Sequence, residues 1–190
     1  MKKKLEADLI SIAHRVLKLK GKEDVVQLHQ EAQKLYEKGL ITYMRTDSAV
    51  ISQEAIQAAH VWVKGKYGDS YVGSHKHVND SHAQEAHEAI RPTDISRTPQ
   101  SLIGKLSPEQ FKLYEMIWKR SLASQMTPAK FDAVSVDLAI GSEANLFRAT
   151  GQTLIFPGFI AIYTESLDDA SNEDEDSLKL PPLETGEILT

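Results

Sequence analysis

The sequence predicts an α+β protein, mainly helical over its first 130 residues and closing in a short antiparallel β segment. Two observations carry this. Apolar residues recur at three- and four-residue spacing through most of residues 3–126, and the period changes to two from Phe131, where Val134, Val136, Leu138 and Ile140 alternate against Asp132, Ser135 and Asp137. A third boundary is compositional: nine of the 27 acidic residues lie between Glu165 and Glu187, with Lys179 the only cation there. The expected organisation is therefore a helical region 1–130, a β segment 131–164 and an acidic, flexible tail 165–190.

The elements follow in order. Leu5, Leu9, Ile10, Ala13, Val16 and Leu17 mark an amphipathic helix over 3–20, closed by Gly21. Asp24 can cap a second helix whose apolar positions Val25, Leu28, Ala32, Leu35 and Tyr36 run to Gly39, a good residue just past a helix end. Leu40 to Met44 is a short β-prone run ending in the polar turn Arg45-Thr46-Asp47-Ser48. A third helix fits Ser52 to about Lys64, with Ala55, Ile56, Ala59, Trp62 and Val63 on one face. Residues 65–83 read as an exposed loop, and Ala83 to Ile90 as a short helix stopped by Pro92. Ser107-Pro108-Glu109-Gln110 combines an N-cap, a proline at the first helical position and a capping-box glutamine, so a helix should run from there to about Met126. Strands are expected over Phe131–Ile140, Leu146–Thr150 and Thr153–Tyr163, with Gly151 and Gly158 in turns. Three strands make a poor independent sheet, so the segment should belong to a larger one and the chain to a longer polypeptide.

Composition narrows the function classes. The absence of cysteine excludes disulfides, thiolate zinc sites, thiol nucleophiles and iron–sulfur clusters. No apolar run approaches the length of a membrane span, and Met1-Lys2-Lys3-Lys4 leads into Leu5-Glu6-Ala7-Asp8 rather than an apolar signal core, so the expectation is a cytoplasmic protein with no membrane partner. The net charge of −5 hides an asymmetry: residues 1–164 carry 21 basic and 18 acidic groups. Overall acidity thus does not exclude a polyanionic partner.

Two constellations can carry chemistry. If residues 40–45 are extended, Tyr43 and Arg45 share a face. A phenol titrates near pH 10 and is a weak nucleophile until a cation stabilises its anion, and a guanidinium supplies both the charge and a fork that fits a phosphate. The plain alternative is a strand-end tyrosine beside a solvated arginine. On a helix, Gln84, His87 and Arg91 fall at i, i+3 and i+7, one stripe able to grip a phosphate and move a proton; the plain alternative is a wet helix end. A His-Glu-x-x-His zinc site fails because residue 91 is arginine. His75, His77 and His82 lie close together with His87, without a recognised ligand spacing. Trp62 and Trp118 follow apolar stripes and read as core, and no phosphate loop with Lys-Ser/Thr follows either glycine.

Leu35-Tyr36-Glu37-Lys38-Gly39-Leu40-Ile41-Thr42-Tyr43-Met44-Arg45-Thr46-Asp47-Ser48 resembles the active-site tyrosine segment of the bacterial type IA DNA topoisomerases. Gln84-Glu85-Ala86-His87-Glu88-Ala89-Ile90-Arg91-Pro92-Thr93 is similar to that family's second strong block, in the same order, and Leu113 to Arg120 followed by Ala123 to Met126 is a looser third. The resemblance spans about residues 24–163. It implies an enzyme that cuts one strand of negatively supercoiled DNA, keeps the 5′-phosphate on a tyrosine, passes a strand through the gap and reseals without ATP. By the family pattern Tyr43 is the nucleophile, Arg45 contacts the scissile phosphate and His87 lies in the active site near the DNA backbone. Asp47, Gln84, Glu88 and Arg91 match motif positions expected to face DNA. The helical region corresponds to the family's tyrosine-bearing gate and the β segment to its arch. The resemblance also implies magnesium held by an acidic domain whose motifs are not found here, so its ligands are expected outside this chain, with the parent's remaining domains and single-stranded DNA as partners. Two other classes compete: a noncatalytic single-strand DNA-binding module and a histidine-rich metal binder using His75, His77 and His82.

Overall fold

The computed structural model describes residues 22–46, 48–73, 88–140 and 142–162, with positions 180 and 186 in isolation. Helix α1 spans Lys22–Glu37, α2 Gln53–Tyr67 and α3 Pro108–Ala123; strand β1 spans Lys130–Ile140 and β2 Ser142–Phe156. Short 3-10 turns occur at Asp69–Tyr71, Pro99–Leu102 and Gly158–Ala161. The protein is α+β, as expected. It divides into two compact units, one holding residues up to Thr127 together with the return from Phe159, the other beginning at Pro128 and running to Gly158. The expected helix over 3–20 and the acidic stretch 166–177 lie outside the described residues.

The first unit is organised around α3. Its N-terminus forms as its sequence dictates, with Ser107 Oγ accepting from Gln110 N at 3.2 Å and proline in the first turn. Leu113, Tyr114, Met116, Ile117, Trp118 and Leu122 are all buried, which is too wide an arc for a surface helix and marks α3 as central. The two large aromatics bury their rings and spend their polar ends on one turn: Tyr114 Oη donates to Arg97 O at 2.7 Å, and Trp118 Nε1 to Ile95 O at 2.9 Å. Desolvation pushes the Tyr114 phenol up to about 12. Trp62 of α2 meets Trp118 edge to face, with centroids 4.9 Å apart. Leu35 of α1 and Val63 of α2 complete the core and are fully buried, each such side chain contributing roughly 1.5–3 kcal/mol of transfer free energy.

Gln110 departs from the capping-box expectation. Its amide donates to Glu31 Oε2 at 2.9 Å and accepts from Lys38 Nζ at 2.7 Å, tying α3 to α1. The residue is buried, and tertiary partners are worth more there than a local reciprocal bond. The expected loop over 65–83 is also corrected at its start. Helix α2 continues to Tyr67, Tyr71 and Val72 pack on the core, and Val72 bridges Met126. A Cβ on the buried Gly73 would lie 2.6 Å from Met126 O, so only glycine fits this close approach of two backbones.

The second unit is a hairpin. The expected break at Gly151 is absent, because Gly151 pairs with Val134 inside one continuous antiparallel ladder; the first part of the expected third strand, Thr153–Phe156, is the end of β2, and Gly158–Ala161 is a 3-10 turn instead of strand. Val136 pairs with Ala149 and Leu138 with Phe147, so the alternating apolar residues share one face with their partners. The other face carries Asp137 and Arg148, directly paired, with Arg148 Nε and Nη2 donating to the two carboxylate oxygens at 2.7 and 2.9 Å. The expected alternation holds in the middle of β1, where Val136 and Leu138 are half-buried between exposed Ser135, Asp137 and Ala139, but Val134 and Phe147 remain 49% and 61% exposed.

Candidate active site

The helix end that delivers the tyrosine is specified locally. Gly39 takes φ +66°, with Gly39 N donating to Tyr36 O at 2.8 Å and Leu40 N to Leu35 O at 3.0 Å, the paired bonds of a Schellman cap. Leu35 and Leu40, the two residues that accompany such a cap with an apolar contact, are both buried. The chain then leaves α1 in a fixed direction and runs against residues 91–93. Thr42 N donates to Arg91 O at 2.9 Å and Thr93 N to Leu40 O at 3.1 Å, forming the isolated bridge of Ile41 with Pro92.

This bridge is all that forms of the expected extended run 40–45. The backbone bends at Met44 and Arg45, so the shared-face argument for Tyr43 and Arg45 does not apply. Both side chains nonetheless face solvent. Ile41 and Met44 are buried on either side, while Tyr43 is 46% exposed and Arg45 is exposed. The Tyr43 ring is steadied from α1 by Tyr36, edge to face with centroids 5.4 Å apart.

The second block meets the first at the base of the tyrosine loop. Ala89 N donates to Val50 O at 2.7 Å, and Glu88 Oε1 accepts from Ser52 N at 2.9 Å, just ahead of α2, where Ser52 also serves as N-cap. Residues 88–93 therefore grip both flanks of the loop 43–49. Residues 88–91 are not helical, which corrects the expected helix to Ile90 and its stripe reaching Arg91. Pro92 disfavours helical backbone at Arg91, whose amide and carbonyl pair with Thr42 instead.

Arg91 and Glu88 are engaged with each other. Arg91 Nε and Nη2 donate to the two Glu88 oxygens at 2.6 and 2.9 Å, and Nη1 donates to Pro92 O. Burial pushes the Glu88 carboxyl up, but the Arg91 and Ser52 bonds outweigh it and hold the group below the usual range. A cavity of about 310 Å³ flanks this pair, lined by Ser52, Ala55, Arg91, Ser121 and Gln125; Tyr43 and Arg45 do not line it. Asp47, Gln84 and His87, and the histidines 75, 77 and 82, lie outside the described residues. Thr42 stands out only in the structure, since nothing in periodicity or charge distinguishes it from other polar loop residues, and Ser52, legible as a helix start, gains its bond to Glu88 only there. Among the described residues no three His, Asp or Glu side chains come together in a way that could hold a metal ion, so the residues described do not fit a magnesium site.

The DNA topoisomerase family pattern covers residues 6–190, and the chain belongs to that family. It is 46% identical over 171 residues to DNA topoisomerase 1 of Xylella fastidiosa (strain Temecula1), covering 83% of this chain and 21% of that protein. It is likewise 46% identical over 162 residues to DNA topoisomerase 1 of Zymomonas mobilis, covering 82% of this chain and 13% of that protein. Full-length topoisomerase I from Thermotoga maritima superimposes with a TM-score of 0.72 at 33% identity, over 92% of this chain and 27% of that one. The chain thus spans about a fifth of the length of the Xylella relative. No helix among the described residues is long and apolar enough to cross a membrane.

Proposed function

We propose that this chain is the tyrosine-bearing gate and part of the arch of a type IA DNA topoisomerase, which relaxes negatively supercoiled DNA in the cytoplasm. The Tyr43 Oη attacks a backbone phosphorus, the bond from phosphorus to the 3′ oxygen breaks, and a 5′-phosphotyrosyl ester and a free 3′ hydroxyl remain. Strand passage follows, and return of the 3′ hydroxyl restores the phosphodiester and the phenol. The ester conserves the bond's free energy, so ATP is not required. Arg45 stabilises the charge on the phosphate, and His87 lies beside it near the departing oxygen. Asp47, Gln84, Glu88 and Arg91 belong to the surface that receives single-stranded DNA, with Arg91 held in place by Glu88. Magnesium is held by the parent enzyme's other domains, and the isolated chain relaxes no DNA.

The observation that carries this reading is Tyr43: half exposed on a loop fastened at both ends, with Arg45 two residues on also exposed, within the family's tyrosine block. In the full-length enzyme, Tyr43→Phe should abolish the covalent adduct with a labelled single-stranded oligonucleotide while leaving noncovalent binding intact. Adduct formation by that variant would overturn the assignment. Salt-dependent binding with no adduct even in the unaltered enzyme would favour a noncatalytic single-strand binding module.

A further inference from the structure

We propose that Thr42 is a positioning residue for Tyr43, acting through its hydroxyl on the backbone of the second block. The inference rests on the reading of Tyr43 as nucleophile.

The loop 43–49 is closed at its base by residues 88–93, but the two sides of the closure differ in kind. On the far side a single main-chain bond, Ala89 N to Val50 O, is joined by Ser52 N donating to the Glu88 carboxylate. On the near side, beside the bond from Thr93 N to Leu40 O, four bonds gather on Thr42, the longest a 3.4 Å contact of its Oγ1 with Arg91 O. Its N–H donates to Arg91 O at 2.9 Å, its Oγ1 donates to Ala89 O at 2.7 Å, and the same Oγ1 accepts from Arg91 N at 2.9 Å. One hydroxyl therefore uses both its donor and its acceptor capacity on residues 89 and 91. Threonine suits this better than serine would, because its branched Cβ leaves few χ1 choices and holds the hydroxyl where it is needed.

The tether sits one peptide from the nucleophile. Beyond it the chain bends at Met44, so Thr42 is the last residue before Tyr43 that has ladder-like bonding. Among the described residues the Tyr43 ring is steadied by the Tyr36 edge contact, and its approach to a phosphorus depends on where the Tyr43 backbone starts. Removing the hydroxyl strands the Ala89 carbonyl and the Arg91 amide together, so the 89–91 segment must shift or admit water. The Thr42 main-chain bond to Arg91 O shifts with it. A displacement on the order of 1 Å at a reacting group can cost about 100-fold in rate, whereas DNA affinity, spread over many phosphate contacts, changes little.

The test uses the full-length enzyme with Thr42→Val, which keeps the shape and deletes the hydroxyl, and Thr42→Ser, which keeps the hydroxyl. Single-turnover adduct formation and the Kd for the same oligonucleotide are measured side by side, with the Trp62 and Trp118 fluorescence confirming the folded helical unit. The expected result is a loss of about tenfold or more in the adduct-forming rate for the valine variant, an unchanged Kd, and a rate near that of the unaltered enzyme for the serine variant. Three results would overturn it: an unaffected valine variant, a serine variant as slow as the valine one, or equal losses of rate and affinity. If Tyr43→Phe abolishes the adduct while Thr42→Val is normal, the positioning role fails alone. If Tyr43→Phe still forms the adduct, the nucleophile assignment fails and this inference with it.

Discussion

The helical unit and the hairpin solve the same problem in opposite ways. In the helical unit each long element buries an apolar stripe against α3, and buried polar groups such as Tyr114 Oη and Trp118 Nε1 find backbone partners. The hairpin has a long, well-registered ladder and a row of apolar side chains, yet Phe131, Val134, Leu146, Phe147 and Ile155 stay exposed. Backbone pairing alone fixes the hairpin's shape, while packing fixes the helical unit's. Chemistry that needs side chains held within fractions of an ångström is therefore better served by the helical unit, and Tyr43 is found there.

The contrast predicts unequal responses to the same kind of substitution. Leu122→Ala in the helical unit removes a fully buried side chain and should cost about 2–5 kcal/mol, whereas Val134→Ala in the hairpin should cost under about 1 kcal/mol. Urea unfolding followed by tryptophan fluorescence isolates the first effect, since both tryptophans, Trp62 and Trp118, lie in the helical unit. Equal losses would show that the hairpin is packed as tightly as the helices.

A smaller effect concerns acid. The Glu88 carboxyl is held low, burial being outweighed by Arg91 and Ser52, so it titrates below its unfolded value. The stability it contributes is present above the unfolded carboxylate pKa and lost as pH falls through the lower folded value. Wild type should then lose its advantage over Glu88→Gln as pH drops below the usual glutamate range, with the two converging in strong acid. A constant gap between them would break the argument. Asp137 is also held low, by its Arg148 bonds, but this pair lies on the solvent side. Arg148→Met should leave the strand signal in circular dichroism and the helical unit's midpoint unchanged.

How much of this was legible depends on whether the signal is local. The ends of α1, α2 and α3 follow from Gly39, Ser52 and Ser107, because caps are written within four residues. Tyr43 and Arg45 were singled out by chemistry and motif. The bridge from Ile41 to Pro92 was not legible, since it arises from bonds between segments some fifty residues apart, such as that from Arg91 N to Thr42 Oγ1. Likewise Gln110 has the right identity for a local capping bond and spends its amide on Glu31 and Lys38 instead. Gly151 was misread as a turn because its sequence cannot reveal that Val134 lies opposite.

The loop closure also bears on how such a protein can drift. The links from Thr93 N to Leu40 O, Thr42 N to Arg91 O and Ala89 N to Val50 O join peptide groups, which every residue except proline can supply. Side chains at 50 and 89 can thus vary without loosening these links, whereas Leu40 is held by its own burial, and proline at 42, 89 or 93 would delete a link outright. Natural variation around the tyrosine should accordingly be wide in side-chain identity and narrow in the places where proline is admitted.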